Sequence, residues 1–271
     1  MGKIVLEAQN ISKSYSNGKK KLVVLKNLSL KVCEGEIITI IGESGCGKST
    51  ALNILSTLDY PDTGILKIDS NKVDYFENKI ISKLRNEEIG YVFQSAYLLP
   101  EFTALENVLM PAWIRNRNNI ENEALDIFKD LGIIDRKNHY PYQLSGGEKA
   151  RVAIIRAIIN KPKILFADEP TGNLDKGNSK NLLMLLKKLN KVYNQSMVLT
   201  THDPSVASFG YKTLKLENGV FTACEICLNK QTNKYDPPLI QLRAKKIIHD
   251  KKALSVKYYD TFVDFKGKSI F

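Results

Sequence analysis

The sequence predicts an α/β fold with a mainly parallel central sheet, an antiparallel β layer and an inserted helical subdomain. Short, largely apolar runs at residues 36–41, 164–167 and 197–200 are typical of strands buried on both faces of a parallel sheet. Residues 4–15 and 22–32 are longer and more alternating, which predicts the antiparallel layer. Segments with helical periodicity separate these strands and indicate parallel crossover connections.

The middle of the chain departs from this alternation. From about residue 95 to residue 160, helical periodicity replaces the strand pattern, so we expect a helical subdomain there. We place it within one large domain at residues 1–227. Residues 228–271 are then a basic C-terminal extension of unknown role.

Within this extension, Pro237 and Pro238 interrupt the chain, and apolar residues then recur at helical spacing with basic residues between them. The apolar set is Ile240, Ala244, Ile247 and Ile248. The pattern predicts either a basic amphipathic helix that touches anionic lipid or a helix or loop docked on the main domain with a solvated lysine face. The second interpretation is favoured, because periodicity over one short segment is common.

Composition and charge exclude several classes of protein. The 271 residues are 43% hydrophobic and 25% charged, unlike disordered, collagen-like or disulfide-scaffold chains. The net charge is +11, and +6 of this lies in the extension, which has nine lysines and Arg243 against four aspartates. A nucleic-acid-binding surface over the whole chain is therefore only weakly supported. No run approaches the ~18 apolar residues of a membrane span. Glu7 interrupts any signal-peptide core, so we expect a cytosolic chain.

The four cysteines, Cys33, Cys46, Cys224 and Cys227, are expected to stay reduced in that compartment. The spacing of Cys224 and Cys227 supplies half of a zinc site, but no second pair follows to complete four ligands. We therefore interpret the cysteines as small buried or surface thiols, with metal or redox use as the alternative.

Residues 42–49, with the sequence GESGCGKS, match the phosphate-binding pattern G-x-x-x-x-G-K-[ST] between a predicted strand and a predicted helix. Glycines let the backbone turn its N–H groups inward, and the helix N-terminus adds partial positive charge. Lys48 is placed to reach the β- and γ-phosphates of a nucleotide, and the Ser49 hydroxyl to bind Mg²⁺. The predicted nucleotide-binding residues of this P-loop are Gly42, Glu43, Ser44, Gly45, Cys46, Gly47, Lys48, Ser49 and Thr50.

Two carboxylates, Asp168 and Glu169, follow the apolar run at residues 164–167 and supply the acidic partner that a P-loop needs. Because successive strand residues point to opposite faces, the two should differ in role. We expect Asp168 to help hold Mg²⁺ and Glu169 to polarise the attacking water. Together with the P-loop, they predict a nucleoside triphosphatase.

The residues that distinguish among P-loop proteins lie between these elements, where residues 144–148 read LSGGE. This segment resembles the LSGGQ signature loop of the nucleotide-binding subunits of ATP-binding cassette (ABC) transporters. It is a second candidate anion site, because Ser145, Gly146 and Gly147 open a predicted helix and turn its N–H groups outward.

Further positions match this family in order along the chain. Tyr15 resembles the aromatic residue that stacks on adenine, and Gln94 resembles the glutamine that senses Mg²⁺ and the lytic water. Residues 173–175 resemble the D-loop, which crosses the dimer interface, and His202 resembles the switch histidine that contacts the γ-phosphate. The resemblance covers about residues 4–223. It implies a catalytic set of Glu169, His202, Lys48 and Gln94, with Ser49, Gln94 and Asp168 as Mg²⁺ ligands.

The resemblance also implies ligands and partners. ATP and Mg²⁺ are the expected ligands, and two copies of the chain should pair head to tail with ATP between them. Their closure should drive a separate transmembrane permease subunit, contacted near Gln94 and residues 95–100. The chain would then be peripheral on the cytoplasmic face of the inner membrane, and no nucleic acid is expected as a partner.

Residues 168–175 and 99–108 resemble one branch of the family, which contains lipoprotein-releasing, macrolide-exporting, cell-division and antimicrobial-peptide-resistance ATPases. Lipoprotein release or export is our first expectation, with a cell-division ATPase or a peptide or macrolide exporter as alternatives. An ATPase that acts on nucleic acid or ribosomes is the alternative from another class. Those types carry two cassettes in one chain or long coiled coils within the cassette. The present sequence has one P-loop and one signature, with a short interval between Lys48 and Ser145, which argues against both.

Overall fold

Strands and helices alternate along the chain, and the computed structural model describes residues 2–17, 20–207, 209–224, 240–250 and 253–263. Its strands are β1 (Ile4–Asn17), β2 (Lys20–Cys33), β3 (Ile37–Ile41), β4 (Thr63–Ile68), β5 (Asn71–Lys72), β6 (Ile89–Val92), β7 (Ile164–Asp168), β8 (Ser196–Thr201), β9 (Lys212–Glu217), β10 (Val220–Cys224), β11 (Ile240–Asp250) and β12 (Ala253–Val263). Its helices are α1 (Lys48–Leu55), α2 (Asn78–Glu88), α3 (Ala104–Ile114), α4 (Glu121–Asp130), α5 (Gly146–Ile158), α6 (Lys176–Tyr193) and α7 (Pro204–Ala207), with 3-10 turns at Ile134–Arg136 and Pro141–Gln143.

The central sheet has six strands in the order β10-β9-β3-β8-β7-β6. The strands from β9 to β6 run parallel, and the edge strand β10 runs antiparallel to β9. The three apolar runs of the sequence form β3, β8 and β7 side by side and are almost entirely buried, which confirms the predicted parallel core. Open parallel sheets bind ligands beyond the carboxyl ends of their strands. Here that edge carries the loops after β3, β6, β7 and β8.

The second sheet is antiparallel, in the order β2-β1-β4-β5. Strands β1 and β2 pair from Ile4 opposite Cys33 to Asn17 opposite Lys20, as the alternating pattern predicted. Strands β4 and β5 were not assigned from the sequence. A hydrogen bond of 2.8 Å from the Lys26 N–H to the Gly219 carbonyl joins this layer to the turn between β9 and β10.

Apolar clusters cover both faces of the central sheet. Strand β3 shows the division, because Ile37 belongs to the cluster on the helical side, whereas Ile38 and Ile40 belong to the cluster under the antiparallel layer. This alternation is what a strand with period two requires when both of its faces are buried. The loop that follows β3 is therefore anchored by a strand that is fixed from both sides.

Between Val92 and Ile164, where every residue is described, the chain forms helices and turns without a strand. None of the helices in the described ranges is long and apolar enough to span a bilayer. Asn107 of α3 is fully buried, and its side-chain oxygen accepts a hydrogen bond of 2.7 Å from the Leu99 N–H. Its amide nitrogen donates to the carbonyls of Leu99, Phe102 and Thr103 at 3.0 to 3.1 Å. One side chain thus holds the turn that leads into α3.

Replacing Asn107 with leucine, which has a similar volume, should lower the free energy of unfolding by about 2–4 kcal/mol. The change removes the side-chain partner of one N–H and three carbonyls at a buried position. Urea unfolding at pH 7 measures the difference, and the exposed Asn118→Leu variant is the control, expected within about 0.5 kcal/mol of the parent. Equal stability of the two variants would contradict this role of Asn107.

The C-terminal extension forms strands at residues 240–250 and 253–263, where its sequence pattern predicted a helix or a loop. Strands β11 and β12 pair antiparallel, from Ile240 opposite Val263 to Asp250 opposite Ala253, as a two-stranded sheet of their own. The helical prediction was wrong because it considered one segment alone, whereas β12 is rich in Val, Tyr, Thr and Phe, which favour strands. The other predicted features of this region, Pro237, Pro238 and Cys227, lie outside the described residues.

Candidate functional site

The loop between β3 and α1 has the backbone of a phosphate cradle. Gly47 has φ of 104°, in the left-handed region that favours glycine. A β-carbon on Gly42 would lie 2.6 Å from Cys46 Sγ and 2.7 Å from the Leu216 carbonyl oxygen, so this position is closed to any side chain. Helix α1 begins directly after the loop at Lys48, and its N-terminus adds partial positive charge to the cradle.

Lys48 is buried inside this loop, with 5% of its surface exposed. Its ammonium donates hydrogen bonds of 2.9 Å to the carbonyls of Gly42 and Glu43. It also lies 3.7 Å from Glu169 Oε1, which brings the predicted phosphate-binding lysine and the predicted catalytic base together. The side chain therefore occupies the loop with its charge close to the Glu169 carboxylate.

The two carboxylates at the end of β7 have different partners. Register pairs Asp168 with Thr200 of β8, and the Thr200 hydroxyl donates a 2.5 Å hydrogen bond to Asp168 Oδ1. Glu169 has left the strand with φ of 43°, and its backbone N–H donates to the Thr200 carbonyl at 3.1 Å. Glu169 Oε2 lies 2.8 Å from Nδ1 of His202. The two acids therefore have different partners because the backbone turns after Asp168, where β7 ends, and not because they alternate along one strand as predicted.

Gln94 approaches the same place from the loop after β6. A β-carbon on Gly172 would lie 3.3 Å from Gln94 Nε2 and 3.6 Å from the β-carbon of Glu169, so both side chains flank this glycine. The Gln94 carbonyl accepts a 3.2 Å hydrogen bond from the Asn173 side chain. Four side chains from loops distant in sequence thus meet at one edge of the sheet: Lys48, Gln94, Glu169 and His202.

Tyr15 stands on the antiparallel layer, with 42% of its surface exposed. Its hydroxyl donates a 2.8 Å hydrogen bond to Asp59, and burial together with that bond raises the pKa of the phenol. The neighbouring Lys13 was not singled out from the sequence. It is buried and donates to Asp59 Oδ1 at 2.8 Å, so this pair fixes the ring of Tyr15. The sequence offered one indication of this role: Lys13 follows Ile11 at the two-residue spacing of a strand face, so a lysine occupies an inward-facing position of β1.

The signature loop forms the start of α5, which we call the signature helix. Ser145 caps it, accepting a 3.3 Å hydrogen bond from the Glu148 N–H, while Glu148 accepts a 2.8 Å bond from the Ser145 N–H. A β-carbon on Gly146 would lie 3.6 Å from the Leu174 side chain, and one on Gly147 would lie 3.0 Å from the Asn178 side chain. Both glycines are therefore next to the predicted D-loop. The N-terminal amides of this helix are thus presented beside the D-loop.

Comparison with known proteins gives the family. The family model described as ABC transporter matches residues 25–172, more than half of the chain. The chain belongs to the ABC transporter family. A lipoprotein-releasing system ATP-binding protein LolD from Cytophaga hutchinsonii is 46% identical over 218 residues, which is 80% of this chain and 98% of that protein.

Solved ABC structures have the same fold. The dimeric structure of MJ0796, a bacterial ABC transporter cassette, is similar with a TM-score of 0.74 at 40% identity, over 80% of this chain and 96% of that one. A dimeric post-hydrolysis state of the same cassette, bound to ADP and Pi, has a TM-score of 0.71 at 39% identity and the same coverage. The present chain is therefore an ABC ATPase, the ATP-binding subunit of a transporter, and the family predicted from its motifs is confirmed.

In this ABC cassette, Glu148 should make stability depend on acid pH. The ion pair with Arg136 at 2.8 Å and then the Ser145 N–H lower the pKa of Glu148 to about 2. A carboxyl group whose pKa is lowered on folding stabilises the folded protein at pH values above its ordinary pKa of about 4.3. This contribution to the free energy of unfolding is lost as the pH falls toward 2. Glu148→Gln should therefore cost about 1 kcal/mol at pH 7, since the pair is partly solvated, and progressively less below pH ~4.

Urea unfolding of the parent chain and of Glu148→Gln at pH 7, 5, 4 and 3 tests this dependence on pH. The exposed Glu101→Gln variant is the control for removing a carboxylate. A difference between Glu148→Gln and the parent that stays constant from pH 7 to pH 3 would contradict the assignment to the Glu148 carboxylate.

Proposed function

We propose that this chain is the ATP-hydrolysing subunit of a lipoprotein-releasing transporter, in which two copies close around ATP and drive a separate membrane subunit. The observation that carries this assignment is the 46% identity to LolD over nearly the whole of that protein. The residues at the carboxyl edge of the central sheet supply a mechanism for hydrolysis.

The catalytic step follows from three side chains. On nucleotide binding, Lys48 exchanges its two backbone carbonyl acceptors for the β- and γ-phosphate oxygens. Water attacks the γ-phosphorus, the bond to the ADP oxygen breaks, and Glu169 accepts the water proton. His202, 2.8 Å from Glu169, holds the carboxylate in place and contacts the γ-phosphate.

The donor set suits Mg²⁺. Ser49, Asp168 and Gln94 would hold the ion, and hydroxyl, carboxylate and amide oxygens are the hard ligands that it prefers. The Thr200 hydroxyl already orients the Asp168 carboxylate. When bound, Mg²⁺ supplies positive charge that neutralises the phosphates.

Pairing of two copies completes each site. Tyr15 would stack on the adenine, and the backbone of residues 42–47 with Ser49 and Thr50 would bind the phosphates. Ser145, Gly146 and Gly147 would reach the nucleotide held by the other copy, because the N-terminus of the signature helix is a second anion site. The dimeric forms of the related cassette support this arrangement.

A groove beside Gln94 is the proposed contact with the membrane subunit. It lies between α2, β6, α3 and α5 and contains a tier of three aromatic side chains, with ring centroids 4.3 Å apart for Tyr91 and Phe93 and 5.4 Å for Phe93 and Tyr97. Tyr97 has 69% of its surface exposed, which leaves apolar area for a partner to cover. This contact would keep the chain peripheral on the cytoplasmic face of the membrane, with residues 95–160 as the moving subdomain of domain 1–227.

Affinity capture from detergent-solubilised membranes tests the assignment. The bait is the Glu169→Gln chain with ATP, since this variant should retain the closed dimer. The Lys48→Ala chain, which should bind ATP much more weakly, is the matched control. We expect mass spectrometry to find a protein with four spanning helices and a large extracytoplasmic domain, enriched with the first bait.

The identity of the captured protein separates the alternatives. Capture of a subunit of a lipoprotein-releasing system would support the proposal. Capture of a division protein or of a peptide or macrolide exporter would show that the chain serves another process, with the same mechanism of ATP hydrolysis. Recovery of ribosomal proteins or DNA-repair factors instead would overturn the membrane assignment.

A further inference from the structure

Arg156 joins the far end of the signature helix to the loop that carries Gln94. One terminal nitrogen of its guanidinium donates a 2.7 Å hydrogen bond to the Tyr97 carbonyl, and the other donates a 2.7 Å bond to the Ala96 carbonyl. Because the guanidinium is planar, two bonds to adjacent carbonyls fix the orientation of the peptide segment as well as its position.

The position of Arg156 is not explained by a carboxylate in the described part of the chain. Among the described residues no acid forms an ion pair with it, and burial alone lowers the pKa of its guanidinium. A partly desolvated cation is unfavourable unless its donors are well paired. Here the pairing comes from two carbonyls of the loop, so the position of Arg156 and the conformation of residues 96–97 depend on each other.

The loop is also held on the other side of Gln94. The Phe93 ring packs on Tyr91 of β6, with centroids 4.3 Å apart, and meets the Tyr97 ring edge-on at 5.4 Å. Gln94 therefore lies between Phe93, which packs on the sheet, and the carbonyls of residues 96–97, which Arg156 of the signature helix holds. Its side-chain amide is the group that reaches Gly172 beside Glu169.

We propose that Arg156 is a positioning residue that couples the signature helix to Gln94. Ser145 and Arg156 lie at the cap and in the last turn of one helix, about 17 Å apart along its axis. A shift of the helix when Ser145 meets the partner's nucleotide therefore moves the carbonyls of Ala96 and Tyr97 with it. That movement changes where the Gln94 amide stands relative to Glu169. The inference rests on the proposed hydrolysis mechanism and deepens it.

The same helix offers a matched control. Arg151, five residues earlier, donates a 3.3 Å hydrogen bond to the Leu131 carbonyl at the end of α4. It resembles Arg156 in charge, side-chain length and use of a backbone acceptor, but its acceptor belongs to the helical region rather than to the Gln94 loop. Any effect specific to the loop should be absent from its variants.

The experiment compares Arg156→Gln, Arg156→Lys and Arg151→Gln in the full chain. For Arg156→Gln we expect kcat to fall about 10-fold or more with the KM for ATP within about 2-fold, because the bound state is intact but Gln94 is misplaced. We also expect a several-fold rise in the Mg²⁺ concentration for half-maximal rate. Arg156→Lys, which keeps the charge but not the fork, should recover part of the loss, and Arg151→Gln should change neither parameter.

Hydrogen exchange provides a readout that does not depend on hydrolysis. Peptides that cover residues 93–99 should exchange faster in Arg156→Gln than in the parent, while peptides over residues 42–55 should not change. Unchanged exchange at residues 93–99 overturns the proposal, as does a variant whose only defect is a lower Tm. Equal effects of Arg151→Gln overturn it too. A parent chain without ATPase activity would contradict the proposed function instead, and the exchange data would still decide the role of Arg156.

Discussion

Replacing Glu169 with glutamine is expected to lower ATP turnover about 10²- to 10⁴-fold while ATP binding and ATP-dependent dimer formation persist. Glutamine keeps the size of the side chain but cannot take a proton from water. The change also removes a negative charge 3.7 Å from Lys48, so a polyanionic nucleotide meets less repulsion in the site. Phosphate release measures turnover, and gel filtration with and without ATP measures dimer formation.

The control for this variant is Glu121→Gln, which removes a carboxylate from an exposed position in the first turn of α4. Its turnover should stay within about 2-fold of the parent, as expected for a surface substitution away from the site. Turnover near that of the parent in Glu169→Gln would remove Glu169 from the role of base. Loss of ATP binding in the same variant would point instead to a structural role for the carboxylate.

Replacing Lys48 with alanine should weaken ATP binding about 100-fold or more. Hydrogen bonds to charged groups contribute about 1.5–3 kcal/mol each, and about 1.4 kcal/mol is a tenfold change in affinity. The substitution also removes the positive charge 3.7 Å from Glu169, so this carboxylate repels the phosphates more strongly. Isothermal titration calorimetry with ATP measures the affinity.

Lys72→Ala is the matched control, because Lys72 is an exposed lysine on β5, away from the phosphate cradle. Its ATP affinity should equal that of the parent. Circular dichroism establishes that Lys48→Ala is folded before its affinity is compared. A folded Lys48→Ala protein with the parent affinity would contradict the placement of the phosphates against residues 42–49.

The parts of the fold that could be predicted from the sequence are those that depend on residues close together in the chain. Strand β3 is apolar throughout and is followed at once by the glycine pattern, so its burial and the position of the P-loop could be predicted without contacts. The sequence likewise placed residues 145–147 at the start of a helix, and Ser145 caps α5 there. In these cases the interacting residues lie within a few positions of one another.

The parts that could not be predicted depend on residues far apart in the chain. The bond between Lys13 and Asp59 joins positions 46 residues apart, and those from Arg156 to Ala96 and Tyr97 join positions 60 and 59 residues apart. The extension is similar, because β11 is extended through its pairing with β12 rather than through its own periodicity. Motifs indicated which side chains are candidates for the chemistry, but not the second set of side chains that holds them in place.

The order of the central sheet has a consequence for biosynthesis. Strand β3 pairs with β8 and β9, and every pair between β3 and β8 joins positions 160 residues apart. During translation the strand before the phosphate cradle therefore emerges long before either of its neighbours, with both edges unpaired and both faces apolar. Strand pairings between residues so far apart in the chain form late, and until then the unpaired β3 is prone to misfolding and aggregation. Competence to bind nucleotide is thus acquired only once β8 and β9 have left the ribosome.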